Sequence, residues 1–239
     1  MRNTILLPCF SLLLAPAAFG APVPRYEVRR ATSAIVVDGK LDDPAWAAAP
    51  AVTFLFPWKE RAEPKRKTTA RLLWDDRYLY VGYECEDTDI TAQYTERDDP
   101  TYEDDAVEIF INPRPSALDY YGLEMNVRAV LYDYVNLWGR KMIKSVDFVG
   151  VQLATNIRGT LNMSGDRDEG WSLELAIPWR NFADLTRELP PAPGAMWTAG
   201  LNRLDGPRSN RSLSMWSDPE RPSGGFHVPQ RFGQLVFVK

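Results

Sequence analysis

The 239-residue chain carries 28 Lys and Arg against 32 Asp and Glu with a single histidine, a formal net charge of −4. Hydrophobic residues make up 45%, enough for the core of one sizeable domain in a chain too short for two full ones. The acidic balance provides no basic surface to release counterions from phosphate, which argues against nucleic acid and anionic membrane as partners.

Met1-Arg2-Asn3 precedes an apolar run from Ile5 to Ala18, broken by Pro8, Ser11 and Pro16. Ala18-Phe19-Gly20-Ala21 then puts small residues where a signal peptidase cuts. Residues 1–20 are read as a secretory signal peptide, 21–33 as an N-terminal linker and 34–239 as one domain. Removal of the leader takes Arg2 and Cys9 with it, leaving a charge of about −5 and Cys85 alone, so no internal disulfide is expected. No later segment offers the about 18 uninterrupted apolar residues of a membrane span, and the expected location is secreted or periplasmic.

Ala34–Val37 is strand-like and ends at the turn Asp38-Gly39. Asp42 or Asp43 can cap a short helix with Pro44 at its first position and Trp46 on its inner side. The basic run Lys59–Lys67, mixed with Glu60, Glu63 and Pro64, is read as a solvated loop. Thr68–Trp74 and Tyr78–Glu86 are β-rich runs separated by Asp75-Asp76-Arg77, a hairpin with a three-residue loop. In the second run Leu79, Val81, Tyr83 and Cys85 share the face opposite Tyr80, Gly82, Glu84 and Glu86.

The same alternation puts Val107, Ile109 and Ile111 on one face of the next strand and Ala106, Glu108 and Phe110 on the other, so Glu108 is a charge on a largely apolar surface. Such a carboxylate must be paired or lie in a wet concavity. Tyr120–Val135 is read as one strand with Tyr121, Leu123, Met125, Val127, Ala129 and Leu131 on one face and Glu124, Asn126 and Arg128 on the other. Phe148–Ile157, Trp171–Ile177, Trp197–Leu204, Leu213–Trp216 and Gln234–Val238 supply further strands. Trp179–Leu185 is expected as a short helix and Glu188–Gly194 as a loop. Many short strands and no helical period over about 12 residues predict an all-β sandwich or open barrel with one or two short helices.

The lone histidine, His227, sits in a Gly-rich loop with no nucleophile motif near it, which argues against serine and cysteine catalysis and against His/Cys zinc sites. The acids remain. Two among Asp104, Asp105, Glu108 and Glu124 could in principle run glycoside hydrolysis. The loop oxygens of Asp98, Asp99, Glu103, Asp104 and Asp105 suit a hard cation such as calcium, although without EF-hand spacing. Of the tryptophans, Trp46, Trp74 and Trp171 are assigned to the core by their aliphatic neighbours. Tyr102 and Phe226 lie in loops beside Pro or Gly, where no core periodicity requires an aromatic. An aromatic face beside a carboxylate, as Tyr102 and Glu108 offer, is suited to holding a sugar.

Three blocks carry a resemblance: Val37-Asp38-Gly39-Lys40-Leu41-Asp42-Asp43-Pro44-Ala45-Trp46, Leu72-Leu73-Trp74-Asp75-Asp76-Arg77-Tyr78-Leu79-Tyr80-Val81, and Arg97–Ile111 around Tyr102-Glu103-Asp104-Asp105. With Gly170–Trp179 and Phe232-Gly233-Gln234-Leu235, they make residues 30–239 resemble carbohydrate-binding module family 9, whose fold is similar to the DOMON-like β-sandwiches. The resemblance implies an antiparallel, jelly-roll-type sandwich that is not an enzyme and grips a saccharide between two aromatics, with calcium supporting the loops. It implies Tyr102 and Phe226 at the positions of two clamp tryptophans, Glu108 as acceptor of a sugar hydroxyl and Glu124 where an arginine is expected. Asn126, Asn202 and Arg203 are further candidate hydrogen-bonders, and Asp98, Asp99, Asp104 and Asp105 the candidate metal ligands. The partner implied is a poly- or oligosaccharide, bound in support of polysaccharide breakdown or uptake. A haem-binding relative of the same fold would use His227 or a methionine as axial ligand, and a surface protein that keeps the fold without sugar binding is the remaining alternative.

Overall fold

The computed structural model describes residues 21–58 and 65–239. The expected signal peptide and residues 59–64 of the basic run lie outside the described residues. Thirteen strands form the fold: β1 Arg25–Arg30, β2 Val52–Thr53, β3 Thr68–Trp74, β4 Tyr78–Glu86, β5 Ala106–Asn112, β6 Tyr120–Asn126, β7 Leu131–Leu137, β8 Lys141–Ile143, β9 Gln152–Arg158, β10 Gly170–Pro178, β11 Met196–Asp205, β12 Ser212–Met215 and β13 Gly233–Phe237. The order β8-β7-β6-β5-β11-β13-β1-β3-β4-β10-β9, with β12 on β11 and β2 on β3, is one curled sheet folded into a sandwich.

The fold hinges at β1. Its first four residues pair with β13 and Arg29–Arg30 with β3, both in parallel, so β1 passes from one layer to the other. The remaining ladders are antiparallel; the sheet is therefore mixed, where an antiparallel sandwich was expected. Val107, Ile109 and Ile111 of β5 meet Leu79, Val81, Tyr83 and Cys85 of β4 and Trp171, Leu173, Leu175 and Ile177 of β10 in a single core. The Tyr83 hydroxyl crosses that core to donate to the Glu108 carbonyl at 2.9 Å.

The hairpin at Asp75–Arg77 forms as expected, its loop held by Asp75 Oδ1, which accepts from the Arg77 and Tyr78 amides. Trp46, Trp74 and Trp171 are core side chains, and Cys85 is a buried free thiol. Three expectations are corrected. Residues 25–30 of the supposed linker are β1, a strand whose alternate residues Tyr26 and Val28 are buried. Ala34–Val37 joins no ladder: Glu174 captures the Asp38 and Gly39 amides and Asp43 the Val36 amide, so the segment lies across the sheet as a loop. The run 120–135 is two strands, because Asn126 Oδ1 accepts from the amides of Arg128 and Val130 and Ala129 takes a positive φ of 59°. The short helices expected at Pro44 and Trp179 form, as 3-10 helices over Pro44–Ala48 and Trp179–Phe182.

Candidate functional site

The outer face of the layer containing β5 carries a polar rung. Glu108 stands opposite Glu124 of β6 on one side and Asn202 of β11 on the other, and Tyr132 of β7 stands opposite Glu124. Register thus lines up Tyr132, Glu124, Glu108 and Asn202 across four strands. The next rung is Tyr134, Gly122, Phe110 and Gly200. Its glycines let aromatics lie flat on the sheet: a Cβ on Gly122 would stand 2.2 Å from the Tyr134 ring, and one on Gly200 3.1 Å from Phe232.

Over the polar rung lies a cavity of about 360 Å³ with Glu108 and Glu124 on its floor, walls of Tyr102, Tyr132, Phe226 and His227, and Lys144 among its lining. Tyr102 belongs to the 3-10 turn Thr101–Glu103. The turn is pinned by Thr101 Oγ1, which donates to the Glu124 carbonyl at 3.1 Å, and by the Arg211 guanidinium, which donates to the Tyr102 and Glu103 carbonyls. Tyr102 is 37% exposed and meets Tyr132 edge-on at 5.7 Å. Phe226 on the far wall is buried against Trp58 at 5.9 Å. His227 stacks on Phe110 at 4.9 Å, and its Nδ1 is 2.7 Å from the Tyr120 hydroxyl. His227 is partly open to solvent, and desolvation by its neighbours together with the Arg221 charge holds it below the ordinary imidazole value.

Glu108 and Glu124 are each 3% exposed. Glu108 Oε2 accepts from Asn202 Nδ2 at 3.1 Å, whereas Glu124 Oε2 and Asn202 Oδ1 are buried with no hydrogen-bond partner. Burial drives both carboxyls upward, and the charge of Glu124 pushes Glu108 further, well above the carboxylate range. Glu124 is pushed up to about 8, with the Tyr134 hydroxyl and Lys144 working against the rise. Lys144 lies over the Tyr132 ring at 5.1 Å. Arg211 opposes the Glu108 shift, although its hydrogen bonds go to the carbonyls of Tyr102, Glu103 and Gly206. The pair therefore holds a proton near neutral pH.

The structure brings Tyr102, Glu108, Glu124 and Phe226 together around the cavity, with Asn202 buried behind the floor as a donor to Glu108. Arg203 is not among them: neighbours in a strand face opposite ways, and Arg203 points into the sandwich, 5.0 Å over the Trp171 ring. Asn126 is also committed elsewhere. Its amide donates to the Tyr94 carbonyl and to Asp104, which fastens the 91–94 segment to β6. Sequence patterning missed Tyr132, Trp58 and Lys144. Tyr132 alone had a readable signal, its place opposite Glu124 once the 120–135 run is split into a hairpin.

The four aspartates read as metal ligands do not converge. Asp99 caps the Thr95 and Glu96 amides, and Asp104 accepts from the Gln93 and Tyr94 amides and Asn126. Asp105 accepts from Thr91 and the Gly206 amide and groups with Asp87 and Asp205. Arg203 Nη2 already sits in that triad, 2.8 Å from Asp87 and 2.9 Å from Asp205, and Arg66 reaches Asp205 at 3.1 Å. Asp98 groups with Asp133 and Asp147, where Arg97 binds both Asp133 oxygens. Guanidinium thus occupies the place of a cation in both groups, and these donor sets do not fit calcium. Arg66, expected in a solvated loop, is here an inward-turned partner of Asp205 and Thr88.

A β-sandwich with an aromatic-walled, carboxylate-floored cavity on its outer sheet face is built as a small-molecule binding module. Residues 37–239 match the family described as carbohydrate family 9 binding domain-like, and the chain belongs to that family. It is 26% identical over 203 residues to exoglucanase XynX of Acetivibrio thermocellus and 28% identical over 203 residues to endo-1,4-beta-xylanase C of Paenibacillus barcinonensis. Each match covers 85% of this chain and 16% of the relative, so the chain spans under a fifth of the length of these curated proteins. Among solved structures, a putative carbohydrate-binding protein from Bacteroides uniformis superposes with a TM-score of 0.75 at 17% identity, covering 90% of this chain and 100% of that one. A family 9 carbohydrate-binding module from Caldicellulosiruptor kristjanssonii in complex with cellotriose gives 0.63 at 18% identity, over 90% of this chain and 93% of that one. At these identities the likeness establishes the fold.

Proposed function

We propose that the chain is an exported, non-catalytic module that binds a saccharide in the cavity over the Glu124–Glu108–Asn202 rung, supporting polysaccharide breakdown or uptake. The observation that carries this reading is the pairing of an exposed, rigidly held Tyr102 face with a recessed row of hydrogen-bonding groups. A sugar ring stacks its C–H face on such a platform and hydrogen-bonds through its edge. Family membership, and relatives named as xylanase and exoglucanase that share this segment, support the ligand class. Export follows the leader-like residues 1–20.

Hydrolysis is disfavoured by placement. Glu108 and Glu124 rise from the same side of one floor and are both buried, whereas a glycosidase sets one carboxyl to protonate the leaving oxygen and the other against the sugar ring, with access for water. Titration calorimetry with cellotriose, glucose and a panel of oligosaccharides tests the binding reading. Tyr102→Ala is expected to weaken the best ligand at least tenfold with little change in melting temperature, since Tyr102 is partly exposed. Unchanged affinity in that variant would remove the platform.

A further inference from the structure

The cavity floor is unbalanced in a way a neutral sugar does not correct. Glu108 and Glu124 face each other on one rung, both buried, and of the unpartnered atoms beside them Glu124 Oε2 and Asn202 Oδ1 are acceptors, with the Tyr134 hydroxyl the single donor. A sugar hydroxyl offers one proton and brings lone pairs of its own; an ammonium offers three donors, no acceptor and a positive charge. The walls suit a cation as well, because Tyr102, Tyr132 and Phe226 present ring faces of the kind that attract one, and the Lys144 ammonium already lies over Tyr132. A calcium ion is less well served, since two carboxylates and one amide oxygen fall short of the six to eight oxygens it takes.

We infer that the ligand of this cavity is a saccharide bearing a protonated amine, an amino sugar whose ammonium sits on the Glu124–Glu108 pair while its ring stacks on Tyr102. This deepens the saccharide-binding reading above and rests on it. The groups around the ammonium are Glu108 with Asn202 behind it, the Tyr120 and Tyr134 hydroxyls, His227, and the two cations Lys144 and Arg211, of which Lys144 is on Tyr132 and Arg211 on backbone carbonyls. Because the free pair holds a proton near neutral pH, binding the ammonium expels that proton to solvent; the amine keeps its own.

The test is calorimetry on the purified chain at pH 6.5 with three β-1,4-linked trimers: glucosamine, N-acetylglucosamine and cellotriose. Amines of this kind, near the ordinary amino value of about 7.7–8.0, are protonated there. The glucosamine trimer is expected to bind at least tenfold more tightly than either neutral trimer and, compared across buffers of different ionisation enthalpy, to release a proton on binding. Glu124→Gln, which keeps the shape and is checked for an intact melting transition, is expected to reduce the preference to within twofold. Equal or tighter binding of the neutral trimers, or a preference that survives Glu124→Gln, overturns the ammonium site and leaves saccharide binding standing. Failure of all three trimers to bind overturns both.

Discussion

The buried pair makes the stability of this fold fall as pH rises across neutrality, and Glu124→Gln should abolish much of that fall. Burial favours the uncharged carboxyl, so the folded pKa of Glu124, about 8, lies above its ordinary value of 4.5. The folded state then holds the proton more tightly than the unfolded chain. The contribution is fully present below about 4.5 and is lost as pH climbs through about 8. At about 1.4 kcal/mol per tenfold, ionising Glu124 costs up to about 5 kcal/mol. Asp105, raised to about 7, and Asp133, raised to about 6, act in the same direction. His227, held below 6.5, acts the opposite way on the acid side of that value. The difference between wild type and Glu124→Gln isolates the pair from these groups. Urea denaturation at pH 5 and pH 8 should show the variant gaining on wild type by a few kcal/mol between the two. A gap that stays constant, or narrows toward pH 8, would refute the reasoning.

Two further substitutions probe what holds the site. Gly122→Ala places a methyl 2.2 Å from the Tyr134 ring; the ring must lift off the sheet, and a loss of about 1–3 kcal/mol is expected by denaturation, of the size overpacking brings. An unaltered midpoint would mean Tyr134 relaxes freely. Arg203→Met leaves Asp87, Asp105 and Asp205 buried with Arg66 as their remaining cation, at an expected cost of about 3–5 kcal/mol. A melting temperature within a degree or two of wild type would show that the triad needs no internal cation.

The faces of individual strands were readable because alternation is local: Glu108 against Val107 and Ile109 follows from adjacency alone. What alternation does not supply is register. Nothing in residues 106–112 or 120–126 taken singly says that Glu108 and Glu124 share a rung, or that Tyr132 completes it; that depends on where the hairpin turns. The turn at 126–130 is hidden because Val127, Ala129 and Leu131 keep an apolar rhythm through it, while the signal that ends the strand is one asparagine side chain capturing two amides. For Arg203 alternation is itself the decisive signal: as the neighbour of Asn202 it faces the opposite way, into the sandwich over Trp171. The strand at Arg25–Arg30 carries Arg25, Glu27 and Arg29 on its exposed face, so only Tyr26 and Val28 signal the buried side. Trp58 reaches the site through Phe226, more than 160 residues away in sequence, a contact that only the closed fold makes.

Strand β11 shows two answers to the same electrostatic problem. On its inner face Arg203 neutralises buried Asp87 and Asp205 by direct contact, with Arg66 as second cation. On its outer face, one residue earlier, Asn202 gives Glu108 one neutral hydrogen bond, and Lys144 and Arg211 are engaged elsewhere. A fold that compensates buried acids so closely on one side and leaves them without a bound cation on the other keeps two carboxyls whose ionisation is destabilising at the cavity floor, the pattern expected of a functional site. A cationic ligand would then act on the same free energy that the Glu124→Gln comparison measures. Its stabilisation of the fold should grow between pH 5 and pH 7, as the pair's proton becomes easier to expel. The neutral N-acetylated trimer, meeting no such charge, should stabilise by an amount that does not rise with pH. Thermal melts at saturating concentrations of each trimer across that range separate the two, and a parallel pH dependence for both would disconnect the ligand from the carboxylate pair.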